Sequence, residues 1–209
     1  MKSLLEETLV VPVVVIEDAD KAVPVAKALV AGGLPIIEIT MRTAAAPAAI
    51  AAIAAEVADA HVGAGTVLSD EHARTIVAAG AKFIVSPGLH DGVVAVANEL
   101  GVPIYPGVAT ATDVQSAWNL GLRTLKFFPA GLAGGTGMIK ALASVFRDVD
   151  FMPTGGVSPK NLREYLEVPA VAACGGSWLT PADAIENNDF DRITELAAEA
   201  ASIAKEVRG

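Results

Sequence analysis

The chain has 209 residues, 53% hydrophobic but only 5% aromatic, enough to bury one domain core filled mainly by alanine and valine. A formal net charge of −9 excludes sequence-independent nucleic-acid binding, which needs a basic face, but not an anionic substrate held by a local site. A single cysteine, Cys174, leaves no internal disulfide.

The opening Met1-Lys2-Ser3-Leu4-Leu5-Glu6-Glu7 is too charged for a signal peptide. No apolar stretch nears the ~20 residues of a membrane span, so a soluble, cytoplasmic protein with no membrane partner is expected. Short apolar runs then alternate with alanine-rich amphipathic segments. The runs are 10–16, 36–40, 61–64, 83–86, 104–106, 124–128, 150–152 and 171–174. Their length and their Gly, Pro or Ser boundaries predict buried parallel strands. Helices are predicted over 19–31, 44–57, 70–79, 91–100, 111–120, 137–145, 159–166 and 189–207. Ser69 precedes one as a cap, Gly80, Gly101 and Gly121 follow others, and Ser158-Pro159 reads as a cap with a first-turn proline. Eight strand–helix units without a linker predict a single domain over residues 1–209, of α/β class, folded as a (β/α)8 TIM barrel. The competing open doubly wound sheet lacks its fingerprint: Glu17-Asp18-Ala19-Asp20, not Gly-x-Gly-x-x-Gly, follows the first strand.

In a barrel the chemistry gathers at the C-terminal strand ends. Lys126 lies in Thr124-Leu125-Lys126-Phe127-Phe128-Pro129-Ala130, which reads as protein interior. Burial disfavours an ammonium, and a neutral amine is a nucleophile suited to a carbonyl carbon. Strand alternation puts Ile36, Glu38 and Thr40 on one face and Thr124, Lys126 and Phe128 on another, so an acid and an amine share one cavity if both faces point inward. The alternative is a buried Lys–Glu pair serving structure alone. Arg42, just past Glu38, can fork two hydrogen bonds onto a carboxylate, and Thr66 can add a hydroxyl. Gly155-Gly156 and Gly175-Gly176-Ser177 end the last two strands, where barrels build phosphate sites from backbone N–H groups. His61, His72 and His90 have no metal-ligand spacing, so no metal is expected. Cys174, Trp118 and Trp178 read as packing residues.

Six motifs in order resemble the 2-keto-3-deoxy-6-phosphogluconate (KDPG) and 4-hydroxy-2-oxoglutarate aldolases: Ile37-Glu38-Ile39-Thr40-Met41-Arg42-Thr43, Val62-Gly63-Ala64-Gly65-Thr66-Val67, Ile84-Val85-Ser86-Pro87-Gly88, Leu125-Lys126-Phe127-Phe128-Pro129-Ala130, Pro153-Thr154-Gly155-Gly156-Val157 and Gly175-Gly176-Ser177-Trp178-Leu179. The resemblance spans nearly the whole chain. It implies a class I aldolase of the Entner-Doudoroff pathway, with no cofactor, that cleaves KDPG to pyruvate and glyceraldehyde 3-phosphate and acts as a homotrimer. By the same resemblance Lys126 is the Schiff-base residue and Glu38 the general acid/base. Arg42, Thr66 and Pro87 hold the pyruvyl carboxylate, Phe128 walls the site, and Gly155, Gly156, Gly176 and Ser177 receive the phosphate. One departure is Gly131, where the family carries a glutamate, followed by the glycine-rich Ala133-Gly134-Gly135-Thr136-Gly137. A galactonate-derived substrate, a metal-free sugar-phosphate isomerase or epimerase with Glu38 as base, and a non-catalytic phosphometabolite-binding barrel are the alternatives.

Overall fold

The computed structural model describes Leu5 and residues 8–208, so the reading of Met1–Glu7 falls, Leu5 apart, outside the described residues. The strands are β1 (Val10–Val14), β2 (Ile36–Thr40), β3 (His61–Gly65), β4 (Ile84–Val85), β5 (Ile104–Tyr105), β6 (Gly107–Val108), β7 (Thr124–Phe127), β8 (Asp150–Pro153) and β9 (Cys174–Gly176). Every named pairing is parallel. Six strands form a curled sheet in the order β5-β4-β3-β2-β1-β9, and three form a second sheet, β6-β7-β8. This is an α/β fold of TIM-like type.

The expected unbroken ring of eight strands is not what the ladders draw. The fifth run is cut at Pro106, which has no N–H to give a ladder, although its carbonyl accepts from Lys126 N at 2.9 Å. The eighth run, expected over 171–174, pairs as Cys174–Gly176 instead. Val171 is fully buried but makes only an isolated bridge to Phe151, and its N–H turns back to Val168 O. Its apolar neighbours signalled burial, which is not the same as pairing. A second isolated bridge, Thr154 to Gly175, links the two sheets at the opposite strand end.

Alternation along the strands sorts two cores. Val10, Val14, Ile37, Ile39, Leu125, Phe127 and Phe151 pack outward against the helices. Leu5, Val11, Ile36, Phe83, Val85, Tyr105, Met152 and Ala173 form a separate inner cluster. His61 stacks on Phe83 within it, centroids 5.9 Å apart. The inner cluster is a dry floor, and burial there pushes the Tyr105 phenol up to about 12.

Most helices fall where their patterns put them. Ser69 accepts from His72 N at the start of Asp70–Ala78, and Gly101 ends Asp91–Leu100 in the left-handed conformation at φ 68°. Three readings are corrected. The 19–31 segment opens as a 3-10 turn, Ala19–Lys21, before the helix Ala22–Ala31. The segment after Ser158 is a turn, because the N–H groups of Asn161 and Leu162 both bond Ser158 O; its helix is Leu162–Leu166, so Pro159 is not a first-turn residue. Trp118 is 40% exposed rather than packed inside: its Nε1 donates to Asp148, and Arg123 lies 4.5 Å over its ring. A short helix, Ala182–Glu186, was not anticipated at all.

Candidate active site

β2 and β7 each carry one charged side chain inward. Glu38 is fully buried and Lys126 is 5% exposed, and Lys126 Nζ donates to Glu38 Oε1 at 3.2 Å. The two residues are 88 apart in sequence, so only strand closure around a shared interior brings them together. Glu38 Oε2 is buried without a hydrogen-bond partner among the described residues. An unpaired carboxylate oxygen away from water is costly, so it belongs to a place where another polar group docks.

Small residues make this possible. In β3, where Gly63 pairs with Glu38 and Gly65 with Thr40, a Cβ at Gly65 would lie 2.0 Å from Glu38 Oε1. Gly107 pairs with Lys126 in register, and a Cβ there would meet Pro87 O at 2.0 Å. Phe128 is half-buried, its ring centroid 5.5 Å from Lys126 Nζ.

The other expected residues line up along the same strand ends. Arg42 is exposed and makes no hydrogen bond or ion pair among the described residues, leaving its guanidinium available. Thr66 is half-buried and holds φ 57°, an unusual backbone for a β-branched residue. Met41 N bonds Gly65 O and Val67 N bonds Val85 O, so Arg42, Thr66 and the half-buried Pro87 follow three successive neighbouring strands. Gly155 and Gly156 take φ of 88° and 85°. A Cβ on Gly155 would sit 3.3 Å from the Phe128 ring, which ties this turn to the lysine's wall. Gly176 lies under Trp178, and Ser177 is exposed just beyond it. The bridge from Thr154 to Gly175 holds the two glycine turns together. Gly131 N bonds Gly155 O, so the departure from the family pattern abuts the first of these turns.

Sequence reasoning missed one feature. A cavity of about 470 Å³ is lined by Val13 at the end of the first strand, Val15 just beyond it, Lys21, Ser177 and Thr180. The alternation of Val11, Val13 and Val15 was the available signal.

Parallel strands that bring a buried lysine and a buried carboxylate together, with an unpaired guanidinium and glycine turns at their ends, suit a lyase that works through a lysine amine. Comparison with known proteins agrees. The family described as "Aldolase: KDPG and KHG aldolase" matches residues 1–196. The chain is 48% identical over 204 residues to the KHG/KDPG aldolase of Escherichia coli (strain K12), covering 98% of this chain and 96% of that one. The 2-keto-3-deoxy-6-phosphogluconate aldolase of Zymomonas mobilis ZM4, solved with 3-phosphoglycerate, matches with a TM-score of 0.93 at 44% identity, covering 99% and 97%. The KDPG aldolase of Legionella pneumophila, solved with pyruvate captured at low pH as a covalent carbinolamine intermediate, matches with a TM-score of 0.91 at 40% identity, covering 94% and 96%. The chain belongs to the KDPG and KHG aldolase family, and it is an aldolase.

Proposed function

We propose that this chain cleaves 2-keto-3-deoxy-6-phosphogluconate to pyruvate and glyceraldehyde 3-phosphate through a Schiff base on Lys126. The observation that carries the reading is the 3.2 Å contact between a buried lysine and a buried glutamate inside the strand layer. The free amine of Lys126 attacks the C2 ketone, and loss of water leaves an iminium. Glu38 takes the C4 hydroxyl proton through Oε2, directly or across a water. The C3–C4 bond breaks, its electrons neutralise the iminium to an enamine, and the aldehyde leaves. Glu38 then returns the proton to C3, and hydrolysis frees pyruvate. Arg42, Thr66 and the Pro87 loop hold the carboxylate, Phe128 excludes water beside the amine, and Gly155, Gly156, Gly176 and Ser177 receive the phosphate. Anchoring both ends makes the attack effectively intramolecular. The same steps cleave 4-hydroxy-2-oxoglutarate to pyruvate and glyoxylate.

The two sheets, continuous in chain at Pro106 and bridged at Gly175, are read as one single-domain (β/α)8 barrel. A cytoplasmic homotrimer follows from the family resemblance, and light scattering in solution tests the trimer. Among the described residues no helix is long and apolar enough to cross a membrane. Borohydride added with pyruvate should add mass to the peptide holding Lys126; labelling elsewhere, or none, overturns the assignment. Arg42→Ala should weaken every 2-oxo acid alike, raising KM about 10-fold or more, whichever aldehyde half is attached.

A further inference from the structure

The cavity along the first strand is joined to the reacting centre by register. Val13 pairs with Glu38, and the two side chains therefore point to the same inner side. Val13 lines this space together with Val15, Lys21, Ser177 and Thr180. Thr180 is only 7% exposed, yet its hydroxyl has no hydrogen-bond partner among the described residues. An unbonded hydroxyl on a nearly buried residue that lines a cavity is suited to a ligand group. Lys21 is the one cation among the lining residues, facing an acidic rim of Glu17, Asp18 and Glu186. Its ammonium donates to the side-chain amide of Asn188, not to a carboxylate. A neutral amide orients the charge without cancelling it and leaves two of the three N–H donors free. Asn188 itself sits at φ 57°, which asparagine tolerates better than most residues.

We propose that this cavity seats the aldehyde half of the sugar-acid phosphate. In it Lys21 supplies the positive charge for the phosphate at Ser177, and Thr180 hydrogen-bonds the carbon chain leading to it. The inference rests on the Schiff-base reading above and adds two specificity residues to it. The glycine turns and Ser177 offer only neutral donors, and the neighbouring carboxylates repel a dianion. Lys21 is thus the group that makes a phosphorylated arm preferable to the short carboxylate arm of 4-hydroxy-2-oxoglutarate.

The test compares kcat/KM for the two substrates in Lys21→Met, Lys21→Arg and Thr180→Val. The preference for the phosphorylated substrate should fall roughly 10-fold in Lys21→Met, as expected for a lost charge-assisted hydrogen bond, and largely return in Lys21→Arg. Thr180→Val should raise KM for the phosphorylated substrate about 5-fold with little change in kcat. An unchanged ratio in Lys21→Met, or equal losses on both substrates, overturns the proposal, the latter because it marks a merely structural lysine. Borohydride trapping with pyruvate runs on the same samples. Failure to label the wild-type Lys126 defeats the Schiff-base reading, whereas normal labelling with an unchanged ratio defeats only the cavity assignment.

Discussion

Gly65→Ala probes the proposed catalytic pair without replacing either member. Gly65 lies in a strand with ordinary backbone angles, so alanine adds no backbone strain. What it adds is a methyl 2.0 Å from Glu38 Oε1, 2.6 Å from Cδ and 2.7 Å from Cγ. Normal contact begins near 3.4 Å, so the carboxylate must retreat by more than 1 Å. Glu38 is fully buried, with the Lys126 amine 3.2 Å away, so the retreat opens the pair. A misplacement of about 1 Å costs on the order of 10²-fold in rate. Overpacking should also lower stability by about 1–3 kcal/mol, so rates are measured well below the melting temperature. The assay is exchange of the pyruvate methyl protons with deuterated water, followed by NMR. It isolates enamine formation and reprotonation from the rest of the cycle. Exchange should slow about 100-fold while borohydride still labels Lys126. Glu38→Gln should slow it by a factor of ~10²–10⁴, as loss of a general acid/base does. In the double variant Gly65→Ala should add almost nothing, because its only route is through Glu38. Fully additive losses, or wild-type exchange in Gly65→Ala, would refute the reasoning.

Thr66→Asn should relieve part of the ~1–2 kcal/mol that a left-handed backbone costs threonine, raising the melting temperature while also raising KM for pyruvate. Burial lowers the His61 pKa below its ordinary 6.5. Between the folded value and about 6.5 the unfolded chain therefore holds the extra proton, and stability rises with pH. Urea unfolding at stepped pH should show wild type losing stability relative to His61→Gln as pH falls below about 6.5. Cys174 is fully buried and burial drives its thiol far up, so iodoacetamide at pH ~8 should leave the native protein unmodified and label it only on unfolding.

The pairing of Lys126 with Glu38 was legible because it needs only alternation, and both runs alternate cleanly about their charged residue. The helices were legible to within a few residues for the same reason, since caps such as Ser69 act locally. What escaped depends on partners far away in sequence. Val171 and Cys174 are equally buried, and only their neighbours decide which of them joins a ladder. Trp118 looks like a core aromatic until Asp148, 30 residues on, takes its N–H at the surface. Thr180 lies just past the 175–179 motif and carries no signal of its own; it becomes a cavity wall alongside Ala182 and Ile185 of the helix that follows. Glu17 and Asp18 carried only negative information in sequence, as the missing nucleotide fingerprint, yet they help set the charge balance that gives Lys21 its weight.

The inner face of the strands explains why such a small, aromatic-poor chain can hold an ionic pair in its interior. Among the inner positions one buried cluster is large and apolar, built on Ile36, Phe83, Tyr105 and Met152. Other strand positions are glycine. A Cβ at Gly63 would strike the Phe83 ring at 2.5 Å, and one at Gly175 would strike Thr154 Oγ1 at 2.3 Å. Each missing side chain is thus matched to one large or polar neighbour that uses its space. A buried ion pair is poor value as a source of stability, and apolar residues of equal volume would serve as well. A strand layer that keeps some side chains bulky and others absent, and places Lys126 and Glu38 among them, is organised around a guest molecule. Filling any of these glycines should therefore damage turnover more than its effect on stability alone would cause, and the ratio of the two losses should be largest at Gly65.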